Sequence, residues 1–207
     1  MKIAVIAANG RSGQVFVERA LAEGHEVRGG VLGHGYLPEH DRLTLIHCDA
    51  TQPDDLRKLF TDQDAVVSLI GHTKDSLPEV QTKAMQKAVA VMDELGLKRL
   101  VSLTGTGVRF PDDKITLVDR VLTFGVRLVD PARLKDGRNH VKVLQESDLD
   151  WTVIRVLKLQ NVSPKPFRLT EHGPTKGYVS REEVAGAILE VLGQHSFIKQ
   201  SPIISPM

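Results

Sequence analysis

The chain contains a single cysteine, Cys48. One thiol cannot form an internal disulfide, so stability has to come from packing, and a reducing compartment is expected. There is also almost no excess charge. Twenty-seven basic and 26 acidic residues leave a formal net charge of +1, and the two signs are interleaved. No electrostatic footprint for a polyanion results, and no nucleic-acid partner is expected. Long hydrophobic runs are missing too: each apolar stretch is strand-sized, far short of the ~20 residues of a membrane span. No membrane partner is therefore expected. Met1-Lys2-Ile3-Ala4-Val5-Ile6 enters an apolar run directly, without the organisation of a signal peptide, so the expected location is cytoplasmic. The eight histidines show neither His-x-x-x-His spacing nor a Cys/His cluster, so no metal site is expected. No serine lies in a nucleophile-elbow context, which disfavours a hydrolase.

What is present is alternation. At 207 residues a single domain can bury roughly 70% of its unfolded surface, and one domain over 1–207 is the reading. Short apolar runs alternate with amphipathic stretches, the pattern of a parallel sheet covered by helices. Strands are expected at Lys2–Ala8, Val27–Leu32, Leu43–Cys48, Ala65–Ile70, Leu100–Leu103 and Trp151–Val156. Helices are expected at Ser12–Glu23, from Pro53, and at Leu77–Leu95. After Gly105 the alternation weakens. Helices at Asp112–Phe124 and Pro131–Ser147 are expected to flank an irregular Gly125–Asp130. A short strand is expected at Phe167–Thr170, a helix opened by a Ser180/Glu183 capping box, and a last strand within Ile198–Ile204.

The chemistry concentrates at strand ends. Ala7-Ala8-Asn9-Gly10-Arg11-Ser12-Gly13 joins the first strand to the first helix. Small residues there allow a tight turn and close approach of a pyrophosphate, and the helix start offers unpaired N–H groups to the anion. Cys48-Asp49-Ala50-Thr51, Ile70-Gly71-His72 and Thr104-Gly105-Thr106-Gly107 follow the third, fourth and fifth strands. All four stations lie at carboxyl ends, where open α/β sheets bind ligands.

These motifs resemble the atypical short-chain dehydrogenase/reductases with an NAD(P)H-binding domain, the group of the flavin reductase/biliverdin-IX beta reductases. The family's Gly-Ala-Thr-Gly-x-x-Gly is matched by Ala7–Gly13, with Ala7 for the first Gly and Asn9 for Thr. Cys48–Gln52 matches part of its Gly-Asp-Val-x-Asp. Asp64–Gly71, Leu149-Asp150-Trp151-Thr152-Val153-Ile154-Arg155 and Ser180-Arg181-Glu182-Glu183-Val184-Ala185 resemble later family segments. The resemblance implies a doubly wound, Rossmann-type parallel sheet. It also implies a cofactor site from Ala7, Asn9, Gly10, Arg11, Ser12, Gly13, His34, Asp49, Ala50, Ile70, Gly71, His72, Thr104 and Gly105. Asp49 would take the place of the residue that bonds the adenine.

The sequence departs from the wider superfamily at the proton donor. Tyr36 and Tyr178 are its only tyrosines, and no Tyr-x-x-x-Lys exists. Gly105, flanked by Thr104 and Thr106, stands where a catalytic Ser is usual. His140 and Lys142, on the helix before the sixth strand, join Thr104 and Thr106 as weak catalytic candidates; His140 and Lys142 are also readable as surface groups. Asp49 is also readable as a polar turn residue and Arg11 as a solvated helix-entry charge, while Trp151 reads as core.

The implied activity is transfer of hydride from a nicotinamide to a flat conjugated acceptor such as a flavin or quinone, a chemistry in which the protein need only position two rings. The acceptor side is assigned to Gly105–Gly125 and Gln160–Gly177. A non-catalytic NAD(P)H-sensing module is the alternative, and a sugar-nucleotide epimerase the third reading. NADP is expected over NAD. The window about 20 residues past the glycines, where an acid grips the ribose 2′-hydroxyl, reads Val31-Leu32-Gly33-His34 and holds no acid. Arg11, assisted by His34, is expected to meet a 2′-phosphate.

Overall fold

The structure is a computed structural model describing residues 1–207 other than His34, Lys74, Asp75 and Lys176, together with the backbone but not the side chain of Leu122. His34, one of the expected cofactor contacts, therefore lies outside the described residues.

Strand β1 (Lys2–Ile6) leads into helix α1 (Arg11–Ala22), followed by β2 (Glu26–Val31), β3 (Leu43–His47), α2 (Pro53–Phe60) and β4 (Ala65–Ser68). Helix α3 (Val80–Leu95), β5 (Arg99–Gly105), α4 (Leu117–Val129), α5 (Pro131–Gln145) and β6 (Asp150–Val156) come next. The chain ends with β7 (Leu159–Gln160), β8 (Phe167–Thr170), β9 (Val179–Ser180), α6 (Arg181–Gly193) and β10 (Ile203–Pro206). Eight strands form one sheet in the order β3-β2-β1-β4-β5-β6-β10-β8, parallel except for the antiparallel β10–β8 pair. The chain winds outward from β1 to β3, then restarts at β4 on the other side of β1. That doubly wound path leaves a crevice between the carboxyl ends of β1 and β4.

Alternation along β1 divides the core. Ile3 and Val5 point toward α1 and α6, against Phe16, Val17, Val184 and Ile188. Ala4 and Ile6 point the other way, onto Leu56, Leu59 and Met92 of α2 and α3. Burial on both faces is why these strands read as continuous apolar runs. Among the described residues no helix is long and apolar enough to cross a membrane.

Most expected elements are present with ends shifted by one or two residues; α3 starts three residues late. The correction falls at α4. It starts at Leu117, where Thr116 caps it by accepting from the Asp119 amide, and runs to Val129 through the segment expected to be irregular. Gly125 faces open space, so it costs the helix only its intrinsic penalty of about 1 kcal/mol. The break comes at Asp130, because Pro131 excludes helical geometry in the residue before it. Asp130 then caps α5 through the Arg133 amide. The two-residue strands β7 and β9, which pair with each other, carry no periodic signal and were not expected.

Candidate functional site

The turn after β1 is built from backbone. Ala7 adopts φ +60, the left-handed region in which an alanine is strained and the family's glycine is not. Its carbonyl accepts from the Gly10 amide at 3.0 Å, closing the turn. A Cβ on Gly13 would lie 2.2 Å from that same carbonyl oxygen, so only glycine lets α1 start against the end of β1. Gly10 is the N-cap and has no side chain with which to cap, and no acid lies in the first turn. By contrast α4, α5 and α6 are each capped by their own Thr116, Asp130 or Ser180. The amides of the first turn of α1, around Arg11, Ser12 and Gly13, are thus left facing the crevice, as an anion site requires.

Two guanidinium groups stand beside that helix start. Arg11 is exposed at the first position of α1, and Arg181 occupies the same position of α6. Burial, followed by repulsion from Arg11, lowers the Arg181 pKa, so the two cations share one neighbourhood. Arg181 donates to Asn161 Oδ1, while its buried Nε has no hydrogen-bond partner among the described residues. This places Arg11 on the α6 side of the turn. The end of β2, where a 2′-phosphate is expected, is occupied differently. There Asn9 Nδ2 donates to the Leu32 carbonyl at 3.0 Å, and Leu32 is 56% exposed.

The other expected residues gather at the same edge, several of them in structural roles. Asp49 forms a turn: its Oδ1 accepts from the Thr51 amide at 2.9 Å and the Thr51 hydroxyl at 2.8 Å. Ala50 is half-buried beside it. The Ile70 carbonyl accepts from Gln81 Nε2 at 2.7 Å, whereas a Cβ on Gly71 would meet only open space. Gly105 is exposed at the end of β5; Thr104 and Thr106 on either side of it are buried.

Three candidates are committed elsewhere. His72 Nε2 lies 3.0 Å from Asp136 Oδ2 and 3.2 Å from the Pro78 carbonyl. His140 is enclosed beneath β5: Ser102 Oγ sits 3.0 Å from its Nε2 and the Gly137 carbonyl 3.1 Å from its Nδ1. Burial pushes its pKa down to about 4, against smaller upward pulls from the Gly137 carbonyl and Asp136. It is a neutral, enclosed histidine. Lys142 is a surface group, its side chain 71% exposed and 3.6 Å from Glu146.

Two arrangements escaped the sequence reading. Asp136 of α5 is fully buried and caps α3 from outside it, accepting from the Gln81 and Thr82 amides at 2.9 Å each and from the Thr82 hydroxyl. The second is Arg155, buried at the end of β6. It grips both carboxylate oxygens of Asp113 and donates to the Val108, Glu171 and Ser201 carbonyls. Its guanidinium carbon lies 4.8 Å from the Phe110 ring centroid. Arg155 thus ties together the two segments assigned to the acceptor side. Burial alone would raise the Asp113 pKa, but Arg155, the Phe110 amide and His172 outweigh it and hold the carboxyl below its ordinary value. Between these segments a cavity of about 10 Å³, lined by Thr106, Asp119 and Thr175 among others, has room for one water and no ring.

A family model described as NAD(P)H-binding matches residues 7–195. The fold is similar to that of a short-chain dehydrogenase/reductase from Veillonella parvula solved in complex with NADP, with TM-score 0.83, 20% identity, and coverage of 99% of this chain and 94% of that one. It is similar also to a putative NADH-flavin reductase from Streptococcus pneumoniae, with TM-score 0.75, 22% identity and full coverage of both chains. An anaerobilin reductase from Escherichia coli gives TM-score 0.78 at 16% identity, covering 99% of this chain and 97% of that one.

Proposed function

The chain belongs to this NAD(P)H-binding family, and we propose that it is an NADPH-dependent reductase passing hydride to a flat conjugated acceptor, a flavin or a quinone. The observation that carries the reading is the start of α1. Uncapped amides, a glycine that no other residue can replace, and the adjacent Arg11 and Arg181 form a receptor for a pyrophosphate. The cofactor supplies the hydride when bound; the protein's part is to hold the nicotinamide at the open edge around Gly71 and Gly105 and to shield it from water. The acid–base candidates do not converge there. His140 is sealed in the core, Lys142 faces solvent, and Thr104 and Thr106 are buried hydroxyls. Hydride transfer between two rings needs none of them.

The missing acid at the end of β2 favours NADPH, because a 2′-phosphate meets no carboxylate there. Arg11 is reassigned by its position next to Arg181, from the 2′-phosphate to the pyrophosphate. Arg11→Ala then weakens NADPH and NADH alike by about tenfold, the worth of one charge-assisted contact. Calorimetry with both cofactors checks this, and loss confined to NADPH would return Arg11 to the ribose.

The reaction itself is tested by following NADPH absorbance over many turnovers with free flavins and with quinones. Turnover is expected with at least one of them, and Thr104→Ala and Thr106→Ala should each retain it within about a hundredfold. Tight cofactor binding without consumption would instead establish a sensor of nicotinamide redox state.

A further inference from the structure

Helix α4 is amphipathic, and it faces the wrong way for a core helix. At 100° per residue, Phe124, Leu117, Leu128, Val121, Gly125, Val118 and Val129 share roughly 140° of its circumference. That face is turned outward: Leu117 is 78% exposed, Phe124 62%, Leu128 68% and Val129 87%. The face turned inward carries two polar residues, Asp119 and Thr123, beside the 40% exposed Val126. Asp119 is buried, and Thr123 packs toward Gly107, whose Cβ position lies 3.5 Å from the Thr123 methyl. The charges of the helix are sorted in the same manner. Its one acid, Asp119, is hidden, while Arg120 and Arg127 are exposed on one flank of the apolar face, next to Phe124. Neither has an ion-pair partner among the described residues, and neither do Arg109 and Lys114 just before the helix. Of the nearby acids, Asp113 is held by Arg155 and Asp130 lies 3.2 Å from Arg133, leaving Asp112 as the exposed exception.

We propose that α4 docks the protein on an anionic lipid surface, its apolar face entering the headgroup boundary while Arg120 and Arg127 meet lipid phosphates. A continuous aliphatic face with one phenylalanine, flanked by arginine and free of exposed acid within the helix, is the composition of a helix that lies in a bilayer interface. The expectation of no membrane partner was drawn from the missing membrane spans, and a helix lying flat needs none. A second copy of the chain is the competing occupant, and charge disfavours it. Antiparallel pairing about the middle of α4 brings the same flank of each helix together, so Arg120 would face Arg127 of the other copy with no acid between them. Lipid phosphates complement both.

The test is co-sedimentation of the full chain with vesicles of phosphatidylcholine alone and of phosphatidylcholine mixed with phosphatidylglycerol. Binding is expected to the mixed vesicles, weakened by salt and slight on the neutral ones. Arg120→Gln with Arg127→Gln should lower the partition coefficient roughly thirtyfold, given about fivefold per basic residue at such a surface. Val121→Asp with Leu128→Asp should abolish binding and leave the thermal midpoint unchanged, since both side chains are exposed. No partition into anionic vesicles, equal partition of the arginine variant, or a dimer dispersed by Val121→Asp with Leu128→Asp would each overturn the proposal. Cofactor affinity and turnover in solution are separate readouts, so this result and that of the reductase reading stand independently.

Discussion

The two ends of the crevice are made of different materials. On the β1–α1 side the functional geometry is backbone: a left-handed Ala7, two glycines and a helix start whose amides carry the positive potential. On the side proposed for the acceptor the loops are held by side chains, with Arg155 collecting one carboxylate and three carbonyls from segments 16 to 47 residues distant in sequence. Backbone geometry holds a site by steric fit, and side-chain tethers hold loops by paired charge. The first kind fails through steric exclusion and the second through an unpaired charge, so the two ends should respond to different perturbations.

Removing the tether should produce the largest effect. Arg155→Leu leaves Asp113 and the buried carbonyls without their donor, and a loss of about 3–5 kcal/mol is expected from urea unfolding. Asp113→Leu in the same chain should restore part of it, because the stranded charge is then gone. Acid acts on the same pair. Since the Asp113 carboxyl sits below its ordinary 3.8 in the folded protein, its contribution is complete above that pH and is lost as pH falls below it. Hydrogen exchange around 108–113 and 171 should rise there, while the β1–α1 turn stays protected.

The next effect in size separates core from surface. His140 is neutral, with its pKa at about 4 against an ordinary 6.5. Between those values the unfolded chain takes up a proton that the folded one refuses, so stability is full above 6.5 and declines as pH falls toward 4. The loss is on the order of 3 kcal/mol. Denaturation midpoints collected from pH 7 to 4 should show the slope, and His140→Gln should flatten it; a slope unchanged in the variant would place the titrating group elsewhere.

The smallest expected effect sharpens the backbone side. Ala7→Gly removes the penalty of a left-handed alanine, offset partly by glycine's greater freedom when unfolded, for a net gain of about 0.5–1 kcal/mol. A thermal scan is sufficient to detect it. Destabilisation instead would mean that the Ala7 methyl has a packing role outweighing its strain.

The same division explains what could be read from the sequence. The strands from β1 to β6 and helices α1 and α5 follow from local periodicity and caps, with ends correct to within about two residues, and α2 starts at Pro53 as expected. The Ser180/Glu183 capping box formed as expected, and Phe167–Thr170 is a strand. What could not be read depends on partners far away in sequence. The capping of α3 by Asp136 moves that helix's start past Pro78, and Arg155 finds Asp113 across 42 positions. Asp136 shares the buried stripe of α5 with Gly137, His140, Val141 and Leu144, and an acid on such a stripe announces a buried acceptor. For α4, the outward apolar face shows why moment alone misleads: periodicity reveals that a helix has two faces and says nothing of which one the protein keeps for itself.

Cys48 closes β3 at the sheet's edge, its Cβ 3.0 Å from the point where a side chain on Gly30 would begin. Burial, with Asp55 and Asp49 nearby, pushes its thiol up to about 12. At neutral pH essentially no thiolate exists in the folded state, so iodoacetamide or a maleimide finds nothing to alkylate until the β2–β3 edge separates. Because this is the chain's one sulfhydryl, a single mass increment timed against reagent exposure becomes a clock for that opening event. Cofactor occupying the neighbouring crevice should slow the clock.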